Sequence, residues 1–173
     1  MDQQNKTFSI YTFNTANDTN ATNMILPLIE RSPNTAKLVA KQRPFSTALM
    51  LAEALTRNIY SLNEESCIEL FLGHPELAAP NPEQMTEESQ LEQGRLQLSN
   101  LQHTTQTKLD ALNDSYNAKF GFPFIIALYR YKKIDDVLTE FERRLNETRE
   151  IEIRNALTEI CSISISRLNE ACY

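Results

Sequence analysis

The stretch from Ile134 to Arg167 reads IDDVLTEFERRLNETREIEIRNALTEICSISISR, and its spacing decides the fold. Ile134, Val137, Leu138, Phe141 and Leu145 recur every three or four residues, the signature of one amphipathic helix. Ile153, Ala156, Ile160, Ile163 and Arg167 repeat the pattern and predict another. Working back along the chain, Met24, Leu26, Leu28 and Ile29 show helical spacing up to the turn Arg31-Ser32-Pro33-Asn34, and a helix restarts over residues 36–39. Pro44 closes that segment, because the residue before a proline is pushed out of the α region. Ser46 is the expected N-cap of a helix through Leu51, Leu55 and Ile59. A helix over residues 64–71 breaks at Gly73-His74-Pro75, and Ala79-Pro80-Asn81-Pro82 forms a loop. Thr86 caps a long helix over residues 87–101, and a further helix over residues 105–119 ends at Phe120-Gly121-Phe122-Pro123. The expectation is an all-α chain: a compact, irregular, single-domain bundle of about eight helices over residues 23–173. Residues 1–22, rich in Asn and Thr, are expected to form a loose polar arm or a poorly formed first helix.

Composition narrows the function classes. The chain has 173 residues, long enough to bury one real core. Its three glycines compare with about a dozen at average usage, so phosphate-cradling Gly-rich loops and tight β-turns have little material. No GxGxxG, GxxxxGK[ST] or GxSxG occurs. A net charge of −6 with scattered basic residues argues against nucleic-acid binding. No apolar run approaches the ~20 residues of a membrane span. Cys67, Cys161 and Cys172 lack CxxC spacing and suit reduced thiols, with Cys161 in an apolar helical pattern. With no signal-peptide pattern in MDQQNKT and no peroxisomal address in Ala171-Cys172-Tyr173, the expected location is the cytoplasm. Two histidines without HExxH, and cysteines far apart, give no metal pattern.

Four features could carry chemistry. His74 lies between a helix and a proline-rich loop, where an imidazole can stand at a pocket edge or simply cap the helix end. His103, in a polar stretch, reads as a surface residue. Ser89, Glu92 and Gln93 share one helix face, either an ordinary wet face or one that looks into a pocket. Arg167 continues an apolar stripe, so it needs either a carboxylate partner or an anionic ligand. After Pro123, the apolar run Phe124, Ile125, Ile126, Ala127, Leu128 builds a core wall and offers backbone amides that can cap a ligand.

Gln42-Arg43-Pro44-Phe45, Gly73-His74-Pro75-Glu76-Leu77-Ala78, Ser89-x-x-Glu92-Gln93, Lys119-Phe120-Gly121-Phe122-Pro123-Phe124, and Glu159-Ile160 with Arg167-Leu168 follow one another in that order. The series resembles the 2-oxo-4-hydroxy-4-carboxy-5-ureidoimidazoline (OHCU) decarboxylase family over residues 32–168. The resemblance implies a homodimer without metal or organic cofactor that forms (S)-allantoin and CO2 from OHCU. It implies His74 as principal catalytic residue, with Glu92 and Arg167. It places Pro75, Ser89, Gln93 and residues 124–128 around the substrate. Two departures are Asn34, where the family often has Trp, and Glu76 in place of a frequent Asp. An inactive helical interaction module on the same fold, or another ureide-pathway lyase or hydrolase, would share these motifs.

Overall fold

A computed structural model describes residues 7–30 and 32–173. Among them the α-helices are α1 (Ile10–Thr15), α2 (Asp18–Ile25), α3 (Pro33–Ala40), α4 (Ala48–Tyr60), α5 (Glu64–Leu72), α6 (Glu87–Arg95), α7 (His103–Phe120), α8 (Ile134–Leu145) and α9 (Arg149–Ala171). Short 3-10 turns cover Leu26–Ile29, Pro82–Gln84, Leu98–Asn100 and Leu128–Arg130. The expected all-α class is what the chain adopts; the β-type pairing seen is a single parallel bridge between Phe8 and Cys172. No described helix is long and apolar enough to cross a membrane. The described residues form two compact units, one made of those within Met1–Cys67 and Ile160–Tyr173, the other Ile68–Glu159.

In the first unit the Asn/Thr-rich stretch, expected as a loose arm or a poorly formed first helix, is helical over α1 and α2; residues 1–6 of it lie outside the described residues. From Thr7 it is pinned by its own polar side chains. Ser9 and Thr12 form a reciprocal capping box on α1, and Asn17 Oδ1 accepts from Asn20 N–H at 2.8 Å to cap α2. Asn14 exchanges two hydrogen bonds with the backbone of Phe45, at 2.8 and 2.9 Å. Arg43 donates to the carbonyls of Phe13 and Ala16 at 3.0 and 2.8 Å and pairs with Asp18 at 2.6 Å. Phe13 is buried between Phe8 and Phe45, with ring centroids 5.9 and 6.1 Å away. Asn and Thr favour caps for the same reason that they suit loops, so composition alone does not separate a capped short helix from an arm. Two boundaries also shift. Thr47, one residue beyond Ser46, caps α4 by accepting from Met50 N–H at 3.2 Å. Pro33 opens α3 from its first turn, as a residue lacking N–H can.

In the second unit α6 stops at Arg95, short of the helix expected through residue 101. Leu96 leaves the helical region and Gln97 takes a left-handed φ of 53°. Gly121 closes α7 with φ 79°, a conformation that costs a Cβ-bearing residue roughly 1 kcal/mol. The core is aromatic. Phe124 stacks on Phe141 with centroids 3.8 Å apart, while Tyr116 meets Phe124 and Phe141 edge-on at 5.3 and 5.4 Å.

Candidate active site

Around His74 the chain is shaped by the end of α5. Gly73 and His74 donate their amides back to Leu70 and Phe71 at 3.3 and 3.0 Å, and Pro75 then prevents another helical turn. His74, only 8% exposed, brings Nδ1 to 3.0 Å from the Leu70 carbonyl oxygen. A carbonyl only accepts, so Nδ1 carries the proton and Nε2 is the nitrogen whose protonation can change.

Two helices clamp the residues that follow. Gln93 of α6 accepts from Ala78 N–H through Oε1 at 2.9 Å and donates through Nε2 to the Glu76 carbonyl at 2.9 Å. Asn113 of α7 donates to the Leu77 carbonyl at 3.0 Å, and Asn117 donates to the Glu76 carboxylate. Ala78 sits at φ 52°, and the Gln93 bond to its amide offsets that strain. Two side chains of the shared α6 face diverge from the third: Ser89 and Gln93 are buried, whereas Glu92 is half-buried. Thr86 caps α6 by accepting from Ser89 N–H at 3.2 Å, as the sequence implies. Gln93 also borders a cleft of about 390 Å³ together with Ala78, Pro82, Met85 and Ser99; His74 and Glu92 are not among its walls.

Residues 124–128 are buried throughout, although irregular up to Ala127. Phe122, just before them, packs on Phe71 at 4.8 Å, three residues before His74. The turn Leu128–Arg130 packs against α6. The amides after Pro123 are only partly available, contrary to the simple reading. Ala127 N–H is taken by Glu159 Oε2 at 2.7 Å, while those of Phe124, Ile125 and Ile126 donate to no other described residue. The Phe124 ring is spent in the core stack, so any contact it makes with a ligand comes from its backbone.

Arg167 lies in the first unit, 5% exposed, as the inward stripe requires. Of the two partners the sequence left open, the carboxylate is present: Nη1 stands 2.6 Å from Glu30 Oε2 and also donates to the Pro27 carbonyl at 2.9 Å. Glu30 reaches it from a left-handed φ of 44°. His103 is exposed, as expected.

Several structurally decisive residues are absent from the sequence reading: Glu30, Asn113, Tyr116, Arg144 and Glu152. Arg144 and Glu152 had a visible signal. The buried positions of α8 are Val137, Leu138, Phe141 and Arg144, so the arginine and not the half-buried Leu145 continues the stripe. In α9 the stripe Ala156, Ile160, Ile163 runs back four residues to the fully buried Glu152, and Ile153 stands beside it only partly covered.

The family model for OHCU decarboxylase matches residues 14–169. This chain belongs to the OHCU decarboxylase family. OHCU decarboxylase of Haloferax volcanii is 32% identical over 143 residues, covering 83% of this chain and 83% of the relative. The mouse enzyme of the same name is 35% identical over 145 residues, covering 83% and 81%. The fold matches a crystal structure of OHCU decarboxylase in the presence of (S)-allantoin, with TM-score 0.70, 19% identity and coverage of 88% and 96%. It also matches (S)-allantoin synthase, with TM-score 0.73 and 20% identity over 95% of this chain, which spans 54% of that longer one.

Proposed function

We propose that this chain decarboxylates OHCU to (S)-allantoin in urate breakdown, with His74 Nε2 moving the proton. Membership in the family makes it a carboxy-lyase. The observation that supports His74 is its Nδ1 hydrogen bond to the Leu70 carbonyl on a loop clamped by Gln93 and Asn113.

The substrate carries its own electron sink. When the bond to CO2 breaks, the released pair forms a double bond to the neighbouring ureido-bearing carbon, and the ring C=N there opens onto nitrogen, which takes up one proton from water. Protonation of that carbon from one face, with loss of the hydroxyl proton beside it, leaves a carbonyl and the single stereocentre. An organic cofactor or a metal is therefore not needed for the carbanion. Neutral His74 accepts the hydroxyl proton at Nε2 and returns a proton to carbon, while Nδ1–H stays on the Leu70 carbonyl and steadies the imidazolium. Glu92 holds the hydroxyl or orients the ring. Arg167 holds an oxygen of the substrate, its own direction set by Glu30 and Pro27. Pro75, Ser89, Gln93 and the backbone of residues 124–128 complete the reading, with Gln93 acting on the His74 loop as well. The enzyme works as a cytoplasmic homodimer.

The test is to generate OHCU from urate with urate oxidase and hydroxyisourate hydrolase and to follow product chirality. Faster CO2 release and an excess of (S)-allantoin over the spontaneous reaction support the proposal. Racemic product at the spontaneous rate refutes it and leaves an inactive interaction module.

A further inference from the structure

The segment 124–128 has an unusual backbone economy. Buried N–H groups nearly always find acceptors, yet those of Phe124, Ile125 and Ile126 find none among the described residues. Their direction is set from behind. Arg144, 1% exposed, donates Nη1 to the Ile125 carbonyl at 2.8 Å, and its guanidinium carbon lies 4.5 Å over the Phe124 ring. The same side chain donates Nε to Glu152 Oε1 at 2.8 Å and Nη2 to the same oxygen. Glu152, 0% exposed, also accepts from the Tyr116 hydroxyl and, through Oε2, from Asn155 at 2.9 Å. Burial raises the Tyr116 pKa, so the phenol remains a donor. A second anchor stands two residues on, where Glu159 takes Ala127 N–H and Arg130.

We infer that Arg144, braced by Glu152 and Tyr116, is a positioning residue for the decarboxylation: it aims the amides of residues 124–126 at the oxygen atoms of the substrate. A buried ion pair is a poor way to gain stability, since apolar replacement of both partners is often neutral. Here the pair instead spends one guanidinium nitrogen on a loop carbonyl, which no packing residue could do. The inference rests on the proposed function.

Replacing Arg144 alone strands Glu152, so the informative variant removes the whole set: Arg144→Met, Glu152→Leu and Tyr116→Phe together. The expected result is a folded enzyme whose KM for OHCU rises about tenfold or more while kcat stays within about threefold, the split for binding lost equally in ground and transition states. A KM within about twofold of wild type overturns the inference, as does a fall in kcat alone. Arg144→Lys keeps a charge beside Glu152 but lacks the fork that serves carboxylate and carbonyl together. It is read by the same criterion should the triple variant not fold: raised KM supports the inference and unchanged KM overturns it. Wild-type protein without OHCU decarboxylase activity would defeat the proposed function instead, so the two failures are distinct.

Discussion

Two buried arginines, one in each unit, solve the same problem in different ways. Arg144 and its partner Glu152 both project from long helices, and the pair is completed by Tyr116 and by a backbone carbonyl of the loop it supports. Arg167 takes its carboxylate from Glu30, a residue in the left-handed region just after a 3-10 turn. The first network is built on regular backbone and points at a loop. The second depends on a strained residue holding its shape. A buried charge is tolerable in either setting only because its counter-charge is fixed by something else.

The largest expected effect on stability comes from breaking the more enclosed pair. Glu152→Ala leaves Arg144 buried without its carboxylate and should cost about 3–5 kcal/mol, read as a fall in the denaturation midpoint. Glu30→Ala should cost about as much, because Arg167 is likewise buried. Glu30→Gly separates charge from strain: it removes the same carboxylate but relieves the φ of 44°, so it should be less destabilised than Glu30→Ala by about 1 kcal/mol. Equal losses for Ala and Gly would mean that the left-handed residue stores no strain. Next in size is the clamp on the His74 loop. Gln93→Ala strands the Ala78 amide and the Glu76 carbonyl and should cost about 1–3 kcal/mol, with faster amide exchange at Ala78. The smallest effect concerns Cys161, whose thiol is pushed up to about 11 by burial. At pH 8 the neutral form dominates, so alkylation should run roughly a hundredfold slower than for a free thiol until the protein unfolds.

The difference between the two arginines also explains what the sequence revealed. Arg167 stands out because it is a charge on the apolar register of Ala156, Ile160 and Ile163. Glu152 lies on that register too, but Ile151 and Ile153 flank it and draw the apolar pattern away from the buried position. Arg144 is followed by Leu145, which has the same effect in α8. Periodicity therefore located the helices well, because many positions vote on each one. It misjudged single charged residues, whose burial depends on a partner far along the chain. The premature end of α6 had a similar origin, since Leu98 and Leu101 continue the spacing although the backbone turns at Gln97. The motif around His74 was legible; the clamp from Gln93 and Asn113 was not, because those amides bind backbone, and backbone leaves no trace in residue spacing.

The proposed reaction turns on one proton delivered by His74. The direct measurement is the rate and enantiomeric composition of allantoin formed from freshly generated OHCU by His74→Ala, with folding checked in parallel. The expected result is a kcat at least ~100-fold below wild type and product that is close to racemic. A variant that still makes (S)-allantoin stereospecifically at a near-normal rate would contradict it.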